Sequence, residues 1–174
     1  MNWKDIPQFT TPANYRINVS WKFLENNIQL FRECANGDLQ LDPDFQREHV
    51  WTKRQQERYV EYILHGGLSA MDIYWNCKNW QALSVAGPMY LVDGKQRLQA
   101  ARLFMNDKIK VFGHKKSEFE GTFPWNDCDF VFHVNNLNTR AQVIQWYLDL
   151  NFGGTPHTEA ERKRVKALLE REQK

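Results

Sequence analysis

Two short polar segments carry the residue types from which a phosphate site is built: Arg47 within DPDFQREHVW, and Asp93, Gln96 and Arg97 within VDGKQR. A guanidinium meets phosphate oxygens through paired, charge-assisted hydrogen bonds, so Arg47 and Arg97 are candidates for anion contacts. Gln96 is able to orient a water or a phosphate, and Asp93 to hold a divalent cation. Gly94 lets backbone approach a ligand closely, and a helix starting after it presents unpaired N–H groups and the positive end of its dipole. A bulky side chain at position 94 is therefore expected to remove ligand binding and leave the fold intact. The same spacing fits a plainer arrangement, in which Asp93 caps the helix and Arg97 pairs on the surface. The residues alone leave both open.

The elements that must position these groups follow from local pattern. VDG ends the run PMYLVDG at 88–94, which reads as a strand, and KQRLQAARLFMND beyond it is a helix former with Leu98, Ala101 and Met105 along one side. Asp93 thus falls at a strand-to-helix turn. Upstream, Ser20 offers an N-cap for an amphipathic helix over 21–36, and Leu39 to Trp51 reads as a strand end running into an ordered loop. Thr52 with Gln55 forms a capping box for a helix carrying Tyr59, Val60, Ile63 and Leu64, which stops at Gly66-Gly67. MDIYWNC at 71–77, IKVF at 109–112 and DFVFHV at 129–134 read as strands, with a shorter one around Tyr15 to Val19. Residues 139–150 read as a helix, and after NFGGTPHT, Thr158 with Glu161 caps a charged terminal one. The expected organisation is an arm over 1–19, an α/β domain over 20–157, and a C-terminal helix over 158–174.

Composition narrows the function classes. A length of 174 residues suits one domain with its own core, and 42% hydrophobic with 25% charged residues is ordinary for a globular chain. The formal net charge of +2 supplies no general attraction to nucleic acid, so any DNA contact would need a local patch. Aromatic residues make up 14% of the chain, and filling a core is the commoner use for them, ahead of stacking on bases. Cys34, Cys77 and Cys128 are widely spaced without a CxxC pair, which argues against a disulfide framework or a zinc site and fits a reducing cytoplasm. No stretch has the apolar length of a signal peptide or membrane span. The five histidines show no metal-ligand spacing, and His49 stands out only for its nearness to Arg47.

Four segments in order, FQREHVW, the helix 52–64 with GGLSAMDIYW, VDGKQRLQAARLF and NFGGTPHTEAE, resemble the N-terminal domain of GmrSD-type and SspE-type modification-dependent defence enzymes. That domain carries an FQR-x-x-VW segment, a VDGQQRL signature and an NxGGTPL-like segment, and the agreement spans roughly residues 35–165. The resemblance implies a compact ParB/sulfiredoxin-like α/β fold, a small mixed sheet flanked by helices with a C-terminal helical extension. It also implies binding and hydrolysis of a nucleoside triphosphate with a magnesium ion. Carried over residue by residue, it makes Gln46, Arg47, Gly94 and Arg97 phosphate-binding, Asp93, Gln96 and Arg97 catalytic, and Asp93 the metal ligand. Lys95 is a departure, standing where the family has Gln. It keeps a point charge for phosphate, but if the family's amide orients water, hydrolysis is weakened while binding survives.

The expected role is a sensor or regulator in defence or counter-defence. Rival readings are a kinase acting on a small molecule or nucleic acid, and a non-catalytic DNA- or partner-binding module. The resembling enzymes carry an HNH-type nuclease domain after this one. The chain shows no such segment, so nuclease activity from it alone is not expected, and a separate nuclease subunit or a homo-oligomer stays open. In the terminal segment, Arg162, Lys163, Arg164 and Lys166 are interleaved with acids, which reads as a solvated, salt-bridged helix, with a docking surface or DNA edge as the alternative.

Overall fold

The computed structural model describes residues 2–10, 13–48, 50–78, 80, 87–124, 128–151 and 159–173. Five strands, β1 (Tyr15–Ser20), β2 (Leu39–Gln40), β3 (Asp72–Cys77), β4 (Met89–Asp93) and β5 (Asp129–Asn135), form one mixed sheet in the order β1-β5-β3-β4-β2. The β1/β5 and β3/β4 pairs are antiparallel, while β5/β3 and β4/β2 are parallel. The helices are α1 (Leu24–Cys34), α2 (Lys53–Leu64), α3 (Lys95–Met105), α4 (Arg140–Leu150) and α5 (Glu159–Glu172). The fold is the expected α/β class with a mixed sheet. Its N-terminal arm donates strand β1 to that sheet.

Period-two alternation along the central strands decides which layer each side chain joins. Ile73, Trp75 and Cys77 of β3, with Met89 and Leu91 of β4, face a large core filled by Leu24 and Ile28 of α1, Val60 and Ile63 of α2, and Leu98, Ala101 and Phe104 of α3. Tyr74, Tyr90 and Val92 face the other way, onto Val143, Ile144, Trp146 and Tyr147 of α4 and Val165 of α5. The sheet is therefore covered on both faces, and α5 is built into the second core through Val165. The end of β4, beside the start of its antiparallel neighbour β3, lies where α3, the end of α4 and the segment after β2 meet.

Local chemistry set most of the boundaries. The capping box expected at Thr52 and Gln55 is formed, and a second one, Thr139 with Gln142, opens α4. The cap expected at Thr158 lies outside the described residues. The helix expected over 21–36 begins as a 3-10 turn at Trp21–Phe23, and Ser20 makes no side-chain cap. IKVF at 109–112 is not a strand. Ile109 and Val111 are buried in strand-like alternation, but Asp107, Phe112 and Gly113 all have positive φ, so the chain turns back on itself and leaves only the Val111–His114 bridge. Alternating burial there comes from a loop laid over the core.

The three cysteines differ in environment. Cys34 is exposed, Cys77 and Cys128 are buried, and burial pushes the Cys77 thiol up to about 11. Because the thiolate is the reactive form, native protein at pH 8 is expected to react quickly at Cys34 alone with an aromatic disulfide reagent, and at three positions after unfolding in guanidinium. Two or more fast equivalents in the native state would contradict this burial pattern.

Candidate anion-binding site

A cavity of about 170 Å³ lies at the C-terminal end of β4, lined by Gln46, Arg47, Trp51, Asp93, Gly94, Lys95, Gln96, Arg97, Tyr147 and Asn151. Every site residue singled out from the sequence borders it. Tyr147 and Asn151 come from the end of α4, so the first residue of NFGGTPHT reaches the cavity; residues 152–158 are outside the described set, as is His49. Three cationic side chains, Arg47, Lys95 and Arg97, face one carboxylate, Asp93.

The turn that carries Asp93 explains its glycine. Gly94 is the N-cap of α3, has φ +98°, and caps with no side chain, which leaves the first amides of α3 without a side-chain acceptor. A Cβ at position 94 would sit 2.5 Å from Ile73 Cδ1 and 3.2 Å from the Asp72 carbonyl oxygen. Glycine is therefore required by the close passage of β3 beneath the turn, and a bulky residue at 94 would disturb the fold as well as any ligand. Asp93 is not the cap. Its Oδ2 accepts from Arg97 Nη2 at 2.8 Å, and the same nitrogen donates to the Asp72 carbonyl at 2.9 Å. Of the five N–H groups of that guanidinium, the three on Nε and Nη1 have no partner among the described residues.

Behind Arg97 lies a polar layer that the sequence did not disclose. Asp72 Oδ1 is 2.6 Å from Nε2 of His133, a buried ring stacked on Tyr74 at 4.6 Å between centroids. Asp72 therefore holds Arg97 by its backbone and His133 by its side chain. Burial, together with Asp72 and Asp93, pushes the Tyr74 hydroxyl above its ordinary range. Tyr147 is more extreme: burial and then Asp93 drive it up to about 12, against a backbone hydrogen bond from Arg47. At neutral pH it is a protonated hydroxyl. Trp51, Tyr147 and Asn151 are cavity residues that the sequence did not single out, although Trp51 and Asn151 stand inside the quoted motifs and Tyr147 inside the helix read over 139–150.

The loop after β2 is fastened to the turn by side chains from both motifs. Gln46 is buried and its amide donates to the Leu91 carbonyl of β4. Gln96 is buried as well: Oε1 accepts from the Trp51 N–H at 3.1 Å, and Nε2 points at the Glu48 carbonyl at 3.5 Å. Both amides thus hold backbone around the cavity that they line. Lys95 folds over the opening, paired with Asp42 and donating to the Arg47 carbonyl at 3.1 Å. The Arg47 guanidinium is half-buried and, among the described residues, makes no hydrogen bond or ion pair. It is the uncommitted cation of the cavity.

The fit of a divalent cation rests on Asp93 alone. Among the described residues no group of three or more His, Cys, Asp or Glu is placed to hold a metal. Magnesium commonly takes one or two carboxylates and completes its shell with phosphate oxygens and water, so Asp93 suits that part only in company with a phosphate ligand and by sharing its carboxylate with Arg97. A larger cavity, about 570 Å³, runs between α4 and α5 and shares Tyr147 and Asn151 with the first. Its lining sets Arg162 and Lys166 against Asp149, Glu161 and Glu170, so it lacks the cationic surplus an anion needs.

Fold and cavity define an α/β domain with a small cationic pocket at a strand–glycine–helix turn, the kind of placement in which α/β proteins hold phosphates. The family model for the GmrSD restriction endonuclease N-terminal domain matches residues 27–131, and the chain belongs to that family. No curated protein and no solved structure gives a match. No helix among the described residues is long and apolar enough to cross a membrane.

Proposed function

We propose that this domain binds a nucleoside triphosphate through its phosphates in the cavity beside Gly94, and that it hydrolyses the nucleotide as a sensor or regulator of restriction. The observation that carries the reading is that the Arg47 guanidinium, without a hydrogen bond or ion pair among the described residues, lines one cavity with Arg97 and the uncapped start of α3. Each is a donor suited to phosphate oxygen. Size limits what enters: about 170 Å³ is below the roughly 300–1,000 Å³ of pockets that enclose drug-sized ligands, so the cavity receives phosphates and leaves the nucleoside at its mouth. Asp93 is the residue that would hold a magnesium ion, which supplies charge neutralisation across the phosphate oxygens.

A second reading, a nucleotide-responsive switch without turnover, is favoured by one observation. The Gln96 amide is engaged by loop backbone and the Asp93 carboxylate by Arg97, so neither is free to orient water in this state. Calorimetric titration with the four ribonucleoside triphosphates, with and without magnesium, combined with phosphate release, separates the two. Binding with release supports hydrolysis, release only with an added acceptor makes the domain a kinase, and binding alone supports the switch. The absence of binding by all four sinks the proposal.

The departure at Lys95 gives a sharper test. Lys95 ties Asp42 and the Arg47 carbonyl together across the cavity, while glutamine is shorter and uncharged. Lys95→Gln is expected to raise phosphate release several-fold at saturating nucleotide and to change affinity by less than about threefold, since only a transition-state interaction is gained. A variant no faster than the parent would show that this departure from the family is neutral.

A further inference from the structure

The terminal helix reaches the anion site through one side chain. Arg164 of α5 donates to the carbonyls of Asp44, Phe45 and Gln46, the last two at 3.5 and 2.9 Å, so its guanidinium gathers three successive carbonyls of the loop that ends in Arg47. Val165, the next residue, is buried in the second core together with Phe45. Arg140 of α4 binds the same loop by pairing with the Asp44 side chain, and its other terminal nitrogen meets Glu172 of α5 at 2.8 Å. The segment is thus held from β4 by Gln46, from α4 by Arg140 and from α5 by Arg164, and Arg47 follows directly.

We infer that Arg164 is a positioning residue for the anion site, through which the seating of α5 sets where the Arg47 guanidinium points. The consequence for affinity rests on the phosphate reading above. Three carbonyls in a row without a donor would turn toward water, since buried polar groups are paired almost without exception. A guanidinium supplies several fixed N–H groups in one plane; an ammonium offers a compact charge with no fork, so lysine preserves the field and loses the clamp. If α5 shifts, the clamp releases and Arg47 loses its orientation while the cavity's charge is unchanged. The basic residue read as one of a solvated cluster is in this way a strut between α5 and the loop, although it is itself exposed, and a partner or a neighbouring domain acting on α5 would alter anion affinity without touching the cavity.

Two measurements on the full chain test this. Hydrogen exchange of the unliganded protein should show faster exchange confined to the 43–48 loop in both Arg164→Ala and Arg164→Lys, with the amides of α4 and the sheet as protected as in the parent. Unchanged loop exchange, or loosening spread across α4 and the sheet, would overturn the inference. Calorimetry with inorganic triphosphate should then show about tenfold weaker binding in both variants, and little further loss when either change is added to Arg47→Ala, because coupled residues are non-additive. Full additivity with Arg47→Ala, or a Lys variant that binds like the parent, would mean that Arg164 acts by charge or by general stability, and would overturn it too. If the parent protein fails to bind triphosphate or any nucleotide, the function proposed above is lost, and the exchange experiment still decides the positioning role.

Discussion

Arg47→Ala is expected to weaken binding of a nucleoside triphosphate by about 10- to 100-fold, corresponding to roughly 1.5–3 kcal/mol for loss of hydrogen bonds between charged partners. The melting temperature should barely move. The two expectations belong together, because the Arg47 guanidinium makes no hydrogen bond or ion pair among the described residues, so removing it breaks no such bond there. Arg97 offers the contrast: it is tied to Asp93 and to the Asp72 carbonyl, so its removal frees a carboxylate inside the cavity and strands a carbonyl. Arg97→Ala should therefore lose both affinity and stability. Calorimetry paired with thermal unfolding on the two variants checks the difference. An Arg47→Ala protein with unaltered affinity would remove this residue from the site, and one that melts well below the parent would show a structural role for it.

Gly94→Ala is expected to destabilise the domain by about 2–5 kcal/mol, combining a left-handed backbone that L residues tolerate poorly with overpacking against β3. The geometry names the culprit. The new Cβ would lie 2.5 Å from Ile73 Cδ1, the end of a side chain that is itself wholly buried, and 3.2 Å from backbone atoms that cannot yield cheaply. Ile73→Val removes that Cδ1. In the Gly94→Ala background the second change should recover stability, whereas alone it should cost about 0.5–1.5 kcal/mol, so the pair gives a coupling of opposite sign to simple addition. Denaturant unfolding of the two single variants and the double variant measures it. If Gly94→Ala unfolds at the parent's denaturant concentration, the close passage of β3 beneath the turn is wrong. Position 94 is consequently a probe of the turn, and Arg47 is the cleaner probe of the ligand.

The α/β class, the order of the elements and the two recognition segments were legible in the amino-acid sequence because their causes are local. Thr52 and Thr139 each reach a glutamine three residues ahead, and the alternation along IYWNC and YLVD commits side chains to opposite faces whatever lies beyond. The same locality misled at 109–112, where alternation was real but the partner strand was not, since pairing depends on where the chain goes after Phe112.

What only the tertiary structure decided is which cations are free. Lys95, Arg97 and Arg164 have the same formal charge as Arg47. Yet Lys95 is drawn to Asp42 across 53 residues, Arg97 to the backbone of Asp72 across 25, and Arg164 to the Gln46 carbonyl across 118, which leaves Arg47 facing the cavity alone among the described residues. Such partnerships arise when a three-layer packing of helices on a mixed sheet brings distant carbonyls and carboxylates within hydrogen-bonding range. Spacing along the chain cannot encode them, because charge and hydrogen-bond reach act over a few ångströms in space and have no memory of sequence separation.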